Sequence, residues 1–433
     1  MEDINYYIEI LSKYAAKKAN EGFIPGITPI PVSGKVFGSQ EVQLGIEAVM
    51  EFWLTSGRFS ERFENELRDF LGCRTVLLCN SGSSANLLAV SALANKHTKN
   101  HLNNGDEIIT AAVGFPTTVA PIIQNGLVPV FIDVSLGNYN ILSERILDSI
   151  THKTKAIMIA HTLGNPFDLN TVLSIAKDKN LFLIEDTCDA LGSTYSGKKV
   201  GTFGDLATLS FYPAHHITTG EGGAIILNKI KYKKVIESIR DWGRDCWCPP
   251  GIDNTCAKRF GWQLGNLPLG YDHKYSYSNL GYNLKLGDIQ SAIGLAQMSS
   301  LESFILTRKV NWQYLYDGLV ELSDYFILPE ATPNSDPSWF GFALSLKHNS
   351  KFNRNELIAH LESKKIGTRL MFAGNLTLQP AFQNLKFRVH GDLSNADFIT
   401  QNTFWIGVWP GLTQEMLEYV IKEIKNFVLK KIG

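Results

Sequence analysis

The 433-residue sequence has no excess of either charge and no long apolar run. Its net charge is -1 and charged residues make up only 19% of the chain, so the composition gives no reason to expect nucleic acid or an anionic membrane as a partner. No apolar stretch approaches the roughly 20 residues that a membrane span needs. The first 22 residues lack the apolar core of a signal peptide and predict a polar amphipathic helix, so we expect a cytoplasmic protein.

Cysteine is also scarce, yet half of it is clustered. Three of the six cysteines, Cys246, Cys248 and Cys256, lie within eleven residues in the spacing C-x-C-x7-C. In the cytosol, clustered cysteines more often bind metal or react than form disulfides, although chance clustering is the plain alternative. Zinc suits four thiolates but favours a wider C-x2–4-C spacing, and iron–sulfur clusters also need about four thiolates. Cys73 and Cys79 flank the first predicted strand and are interpreted as buried or incidental.

Short apolar runs alternate with helical patterns between about residues 40 and 300. This alternation predicts an α/β fold with a mostly parallel, seven-stranded sheet that is covered on both faces. The predicted strands are 75–79, 107–112, 128–134, 156–161, 181–186, 206–211 and 223–228. The predicted helices are 41–54, 61–71, 84–94, 115–124 and 170–179.

Beyond residue 300 the pattern changes to a long helix at about 301–322, an apolar run and two further helices, which predicts a smaller α/β domain. We therefore divide the chain into an N-terminal helix and arm (1–40), a large domain (41–300) and a small C-terminal domain (301–433). The Pro- and Gly-rich arm wraps a partner subunit, closes over a site or forms an ordinary surface loop.

Two strand ends carry candidate binding groups. The run NSGSSAN (80–86) follows the first strand, and small residues at a helix N-terminus let backbone N–H groups approach a phosphate, although such a turn is usually only a helix cap. The strand LFLIED ends in Glu185 and Asp186 at the edge where ligands bind in open parallel sheets. Cys188 lies at most ~7 Å from Asp186, measured between Cα atoms, so it is the candidate fourth thiolate. A metal site that includes Cys188 would lie close enough to a group bound at Asp186 for electron transfer to it. Zinc has no redox chemistry and would gain nothing from that position, which favours an iron–sulfur cluster.

Residues 210–223 read SFYPAHHITTGEGG. This segment resembles the one that carries the cofactor-binding lysine in sugar aminotransferases of the fold-type I pyridoxal phosphate superfamily, where the pattern is close to S-F-x-x-x-K-x-x-T-x-G-E-G-G. His215 occupies the lysine position, and no lysine lies between Lys199 and Lys229. An imidazole moves protons but forms no Schiff base, so the resemblance implies an enzyme that lost transamination and binds pyridoxamine phosphate without a covalent link. A structural role for His215, or a better-placed base at His216, is the alternative.

The same resemblance implies roles for residues outside this segment. Asp186 would keep the pyridine nitrogen protonated, which makes the ring an electron sink, and Phe115 would stack on the ring. Asn283 would cross a homodimer interface to the partner's cofactor phosphate, so that the active site is shared and a monomer is inert. The phosphate of the chain's own cofactor is assigned to Gly82, Ser83, Ser84 and Ser210.

The sequence resembles the CDP-4-keto-6-deoxy-D-glucose 3-dehydrases of the DegT/DnrJ/EryC1 superfamily, because it combines the histidine at position 215 with the four cysteines. Further segments that resemble these enzymes are GRFSERFENEL, AHTLGNPFDL and RDWGRDCWC. The resemblance implies C3 deoxygenation of a CDP-linked 4-keto-6-deoxyhexose to a 3,6-dideoxy-4-ketosugar for surface polysaccharide. Electrons would come from a flavin and iron–sulfur reductase. Leu378 departs from the pattern, because a basic residue is expected there, which leaves sugar-nucleotide contacts in this segment open. The implied ligands of a [2Fe-2S] cluster are Cys188, Cys246, Cys248 and Cys256.

Four other interpretations stay open. A GDP-4-keto-6-deoxymannose 3-dehydratase also uses histidine for lysine but lacks the cluster, and the cysteine loop argues against it. A cluster-bearing dehydrase of a dTDP sugar fits the same motifs. An inactive superfamily member that acts as a binding subunit would also lack the lysine. The presence of Asp186 and Asn283 at the positions of the family's cofactor-binding residues argues against a degenerate site. A zinc-stabilised sugar aminotransferase would need another lysine within reach.

Overall fold

The computed structural model describes residues 6–11, 13–14, 22–348 and 350–432. Residues 6–11 and 13–14 are helical, as predicted for the N-terminus, and residues 1–5, 12 and 15–21 of that prediction lie outside the described part. None of the helices in these described ranges combines the length and apolar character that a membrane crossing demands.

Strands and helices alternate along the large predicted domain and continue beyond it. The strands are β1 (Thr75–Cys79), β2 (Glu107–Ala111), β3 (Val128–Ile132), β4 (Thr154–Ala160), β5 (Phe182–Asp186), β6 (Thr194–Tyr195), β7 (Lys198–Lys199), β8 (Leu206–Ser210), β9 (Gly223–Leu227), β10 (Phe326–Ile327), β11 (Ser335–Asp336), β12 (Gly341–Leu346), β13 (Arg369–Leu370), β14 (Arg388–His390) and β15 (Thr403–Gly407). The α-helices are α1 (Ser39–Glu51), α2 (Arg58–Leu71), α3 (Gly82–Leu93), α4 (Pro116–Gln124), α5 (Ile146–Ser149), α6 (Leu169–Asp178), α7 (Lys233–Arg240), α8 (Asp288–Met298), α9 (Leu301–Leu319), α10 (Arg354–Ser363), α11 (Ser394–Asn402) and α12 (Gln414–Ile432).

The large sheet has the spatial order β1-β9-β8-β5-β4-β2-β3-β14. The pairs β1–β9 and β9–β8 are antiparallel and the other pairs are parallel, so the sheet is mostly parallel as predicted. All seven predicted strands form. The sheet nevertheless has eight strands rather than the predicted seven, because β14 from the C-terminal part pairs with β3. Arg388 in β14 binds Glu107 in β2 through Nε (3.1 Å) and Nη2 (2.9 Å), which ties the added strand to the sheet.

The elements of the core follow their sequence patterns. Strands β2 and β3 are buried at every residue, as expected for parallel strands that helices cover on both faces. Helix α2 buries Phe59, Phe63 and Leu67, which recur at a spacing of four and therefore lie on one face. The predicted helix 301–322 forms as α9, followed by a 3-10 turn at Val320–Leu322.

A second, antiparallel sheet has the order β10-β12-β15-β13, and its core includes Phe342, Phe404 and Ile30. Ile30 belongs to the N-terminal arm and forms a bridge to Ile366. We propose that the chain divides into an N-terminal helix and arm (1–40), a large domain (41–300) and a small domain (301–433). Strand β14 belongs to the last of these parts by sequence but pairs with the large sheet.

One edge of the large sheet collects the candidate functional residues. Strands β1, β8, β5 and β2 run in the same direction, so their carboxyl ends meet at this edge. Asp186 ends β5, Ser210 ends β8, and the loop that begins α3 follows β1. This is where ligands bind in open α/β sheets.

Candidate active site

A cavity of about 880 Å³ opens at this edge of the sheet. Val32 and Ser33 from the arm are among the residues that line it. Among the described residues that line the cavity there is no lysine. The predicted site residues that line it are Gly82, Ser83, Phe115, Asp186, Cys188, Ser210 and His215.

The start of α3 forms one wall of the cavity. Ser81 caps the helix by accepting a hydrogen bond from Ser84 N (3.1 Å), and its own hydroxyl donates to Ser84 Oγ (3.0 Å). Ser84 is therefore engaged in the cap, whereas the exposed Ser83 lies at the cavity. A Cβ at Gly82 would lie 2.5 Å from Ser210 Cβ, so only glycine permits this close approach. The free N–H groups of this helix start can receive a phosphate.

The Asp186 side chain is 5% exposed and is held by a hydrogen-bond network. Its Oδ2 accepts from Asn86 Nδ2 (2.9 Å) and from Thr118 Oγ1 (2.6 Å), and its Oδ1 accepts from Cys188 N (3.1 Å). Thr208 Oγ1 donates to Asn86 Oδ1 at 2.7 Å, which orients the amide. The sequence interpretation missed Asn86, although its position three residues after Ser83 places both on one helix face.

The neighbouring Glu185 has a structural role. It is fully buried, lies 3.2 Å from His161 Nε2, and accepts from the main-chain N–H groups of Gly201, Phe203 and Gly204 at 2.7–2.9 Å. Burial raises the pKa of Glu185, but the hydrogen bond and charge of His161 and the main-chain donors outweigh it, so the pKa lies below its usual value of 4.5. Glu185 therefore ties β5 to the 201–204 loop.

Glu185→Gln is expected to lower the free energy of unfolding by about 3 kcal/mol at pH 7, because an amide offers the surrounding donors a poorer acceptor. A carboxylate with a lowered folded pKa stabilises above its unfolded pKa, and this stabilisation is lost as the pH falls through the folded value. The difference between wild type and variant should therefore shrink below pH 4.5. Urea unfolding at neutral and acidic pH measures it, and a pH-independent difference would contradict this role.

The His215 side chain is 13% exposed, and its Nδ1 lies 3.5 Å from Asp189 Oδ1. Burial and the charge of Arg308 lower the pKa of His215 to about 4, with the charge of Asp186 opposing them. Burial and the charge of Asp186 raise the pKa of Asp189 to about 8. At neutral pH the imidazole is therefore uncharged, which is the form that accepts a proton. Asp189 was missed in the sequence, although it follows Asp186 by three residues.

His216, the alternative base, occupies a different environment. It is 2% exposed, and its Nε2 lies 2.9 Å from the main-chain oxygen of Ser338. It is not among the residues that line the cavity. The geometry therefore favours His215 over His216 as the residue that acts on a bound molecule.

The structure does not assemble the predicted metal ligands. Cys188 lies at the cavity, where burial and the charge of Asp186 raise the pKa of its thiol well above the usual value. Cys248 Sγ lies 3.0 Å from Thr255 Oγ1, and Cys256 Sγ lies 3.9 Å from His273 Nδ1. Within the described ranges, no three His, Cys, Asp or Glu side chains form a group that could hold a metal ion. Cys246 and Cys248 lie within hydrogen-bonding reach of each other, but the predicted set of four cysteines is not brought together in the part of the chain that the structure describes.

Asn283 lies outside the cavity of its own chain. It is exposed, forms a bridge with Asp241, and its Oδ1 accepts from Lys285 Nζ at 2.8 Å. A reach across to a partner subunit stays a prediction.

The sheet order, the helix start after β1 and the carboxylate that ends β5 agree with the fold-type I architecture of pyridoxal phosphate-dependent enzymes. Residues 37–425 match the DegT/DnrJ/EryC1/StrS aminotransferase family. The chain belongs to this family.

Curated relatives cover almost the whole chain. The lipopolysaccharide biosynthesis protein RfbH of Salmonella typhimurium is 57% identical over 97% of this chain and 97% of its own length. The dTDP-4-dehydro-2,6-dideoxy-D-glucose 3-dehydratase of Saccharopolyspora spinosa is 52% identical over 96% of this chain and 90% of its own length.

Solved structures agree with the fold. A mutant of GDP-4-keto-6-deoxymannose-3-dehydratase (ColD) with bound GDP-perosamine is 28% identical, with a TM-score of 0.83 over 91% of this chain and 100% of that chain. The E. coli GDP-4-keto-6-deoxy-D-mannose-3-dehydratase with bound hydrated PLP has the same identity and TM-score over 91% of this chain and 99% of that chain. The chain thus has homologues that are sugar 3-dehydratases, which is consistent with an enzyme.

Proposed function

We propose that the protein is a pyridoxamine phosphate-dependent 3-dehydratase of a nucleotide-linked 4-keto-6-deoxy sugar. The observation that carries the proposal is the imidazole of His215 in a cavity that also presents Asp186, at the sequence position where sugar aminotransferases have a lysine. The relatives named as 3-dehydratases of dTDP- and GDP-linked sugars support it.

The residues of the cavity fit the cofactor. Asp186 is oriented by Asn86 and Thr118 and would pair with the pyridine nitrogen, while the 53% exposed Phe115 offers a free ring face for stacking. Gly82, Ser83 and Ser210 line the cavity at the start of α3, where main-chain N–H groups can receive the phosphate. When bound, pyridoxamine phosphate supplies an amine that condenses with the C4 ketone and a ring that accepts electrons.

His215 is the proton carrier in this proposal. Its Nδ1 lies 3.5 Å from Asp189 Oδ1, so we assign the proton transfer to Nε2, which accepts a proton in the tautomer that carries the ring hydrogen on Nδ1. His215 would take the proton from the carbon that carries the cofactor's amine (C4′), and the electron pair of that C–H bond would displace the C3 hydroxyl of the condensed sugar, which leaves as water once protonated. Phe340 and Trp405 line the same cavity, and their apolar rings limit the water that competes for the base.

The substrate would be anionic. Arg369 lines the cavity, and a guanidinium binds phosphate oxygens through its planar fork. We propose a CDP-linked sugar, as the sequence resemblance implies, and a 3,6-dideoxy-4-ketosugar product for surface polysaccharide such as lipopolysaccharide. The RfbH relative supports the pathway, whereas the nucleotides in the relatives' names, dTDP and GDP, make those sugars the alternatives.

The test is an anaerobic assay with pyridoxamine phosphate, a reductase and the CDP-, dTDP- and GDP-linked 4-keto-6-deoxy sugars in parallel. We expect loss of the C3 oxygen, fastest with the CDP sugar, without a requirement for glutamate. Glutamate-dependent transfer of an amine to the sugar would overturn the proposal. A protein that binds the cofactor and none of the sugars would indicate an inactive binding subunit instead.

The iron–sulfur part of the proposal stands apart, because no three of the described cysteines lie together. If Cys246 is a ligand, Cys246→Ser should lose most of the iron and acid-labile sulfide that the reconstituted wild type retains. Cys73→Ser is the matched control, because Cys73 packs beside α2 and is expected to leave the iron content unchanged. Iron-free wild type, or equal iron in all three proteins, would contradict the cluster and its reductase.

A homodimer with a shared site is also part of the proposal. Val49, Met50, Phe52, Trp53 and Leu54 form an exposed apolar run at the end of α1, as is typical of an interface, and the fully exposed Leu280 lies three residues from Asn283. A second copy of the chain would cover them and bring Asn283 to the neighbouring cavity. A monomer mass by light scattering, with full activity, would contradict this.

A further inference from the structure

A buried arginine lies behind the His215 segment. Arg308 in α9 is 2% exposed, and its hydrogen bonds go to main-chain carbonyls rather than to a carboxylate. Burying a guanidinium away from water is unfavourable unless its N–H groups are satisfied, so a charge at this position calls for a reason. Arg308 is not among the residues that line the cavity.

The four carbonyls belong to two segments that flank the imidazole. Nη2 donates to the oxygens of His215 (3.0 Å) and Ala214 (3.4 Å). Nη1 donates to the oxygens of Trp339 (3.3 Å) and Phe340 (3.4 Å). The Phe340 ring in turn packs against the His215 ring with 5.1 Å between centroids. The Arg308 guanidinium thus fixes the main chain of His215 and also the main chain of Phe340, whose ring packs against the imidazole.

We propose that Arg308 is a positioning residue for His215, whose guanidinium clamps these two segments and so holds the imidazole at its place in the cavity. The inference rests on the proposed function of His215 as proton carrier. Proton transfer depends steeply on the distance between donor and acceptor, and a misplacement of about 1 Å costs roughly 10²-fold in rate. A lysine cannot replace the clamp, because its point-like ammonium lacks the rigid fork that reaches both segments at once.

The test compares Arg308→Gln, Arg308→Lys and the matched control Arg354→Gln. Arg354 also donates to main-chain carbonyls, those of Thr400 and Thr403, but it lies in α10 and does not line the cavity. For both Arg308 variants we expect kcat to fall roughly 10²-fold, while the KM for the sugar and the dissociation constant of the cofactor stay within about twofold. Arg354→Gln should lose stability with little change in kcat.

A double variant and a substrate-free readout complete the test. In a His215→Asn background, Arg308→Lys should cost no further activity, because residues that act as one unit are not additive. Amide hydrogen exchange at residues 214–216 should rise in the Arg308 variants and not in Arg354→Gln, whether or not the chain dehydrates any sugar. Wild-type kcat in Arg308→Lys, a KM that rises in step with the loss of kcat, or unchanged exchange would overturn the proposal. If Arg308→Gln does not fold, Arg308→Lys decides by the same criteria.

Discussion

His215→Asn is expected to reduce turnover about 10³-fold while the cofactor remains bound, because general acid–base groups contribute roughly 10²- to 10⁴-fold. Asparagine is polar and of similar size, so the cavity keeps its shape, but the amide neither takes up nor returns a proton. The variant would also remove the imidazole whose Nδ1 lies 3.5 Å from Asp189 Oδ1. Steady-state rates with the nucleotide sugar and a titration with pyridoxamine phosphate separate the lost chemistry from lost binding.

The neighbouring histidine supplies the control for this experiment. His216 has the same side chain one residue away but is buried against the Ser338 carbonyl, so His216→Asn should lower the melting temperature and leave kcat within a few-fold. The assignment of the base would be wrong if His216→Asn abolished turnover and His215→Asn did not.

Asp186→Asn is the second change with a large expected effect. An amide cannot hold the pyridine nitrogen protonated, and its NH2 group would face the donors of Asn86 or Thr118. Losing a preorganised charge of this kind in an active site costs roughly 10²- to 10³-fold in kcat. We also expect cofactor affinity to fall about tenfold, since charge-assisted hydrogen bonds are worth more than neutral ones. The absorbance of the bound cofactor and its dissociation constant provide the measurement.

Asp205→Asn is the control for Asp186. Asp205 is also a buried aspartate and immediately precedes β8; it accepts from Leu183 N at 3.1 Å and does not line the cavity. It should reduce stability without changing cofactor affinity. Equal affinity losses in the two variants would show that Asp186 acts only through the fold.

Local patterns in the sequence were enough to predict the elements and one edge of the sheet. Apolar runs bounded by turns place β1, β5 and β8, and their parallel direction brings Asp186 and Ser210 together. The placement of His215 follows from a single motif whose lysine position is occupied by an imidazole. These features depend on residues that are close in sequence, so a sequence reading reaches them.

Features that depend on distant partners escaped prediction. Strand β14 is short and lacks an apolar pattern, and it pairs with β3, which lies more than 250 residues earlier in the chain. Arg308 lies in the middle of an ordinary helical pattern, and only the fold reveals that it is buried against the His215 segment. Cysteine spacing likewise does not determine which neighbours each thiol meets in the folded chain.

The most direct measurement is the intact mass of the protein after loading with pyridoxal phosphate and reduction with borohydride. We expect the native chain to acquire no cofactor mass at the active site, because the described cavity presents an imidazole and no lysine. His215→Lys, which restores an amine at that position, should gain one reduced cofactor on a peptide that spans residues 210–223 and lose dehydration. A native chain whose cavity carries the cofactor bonded to a lysine would contradict the central claim that the cofactor binds without a covalent link.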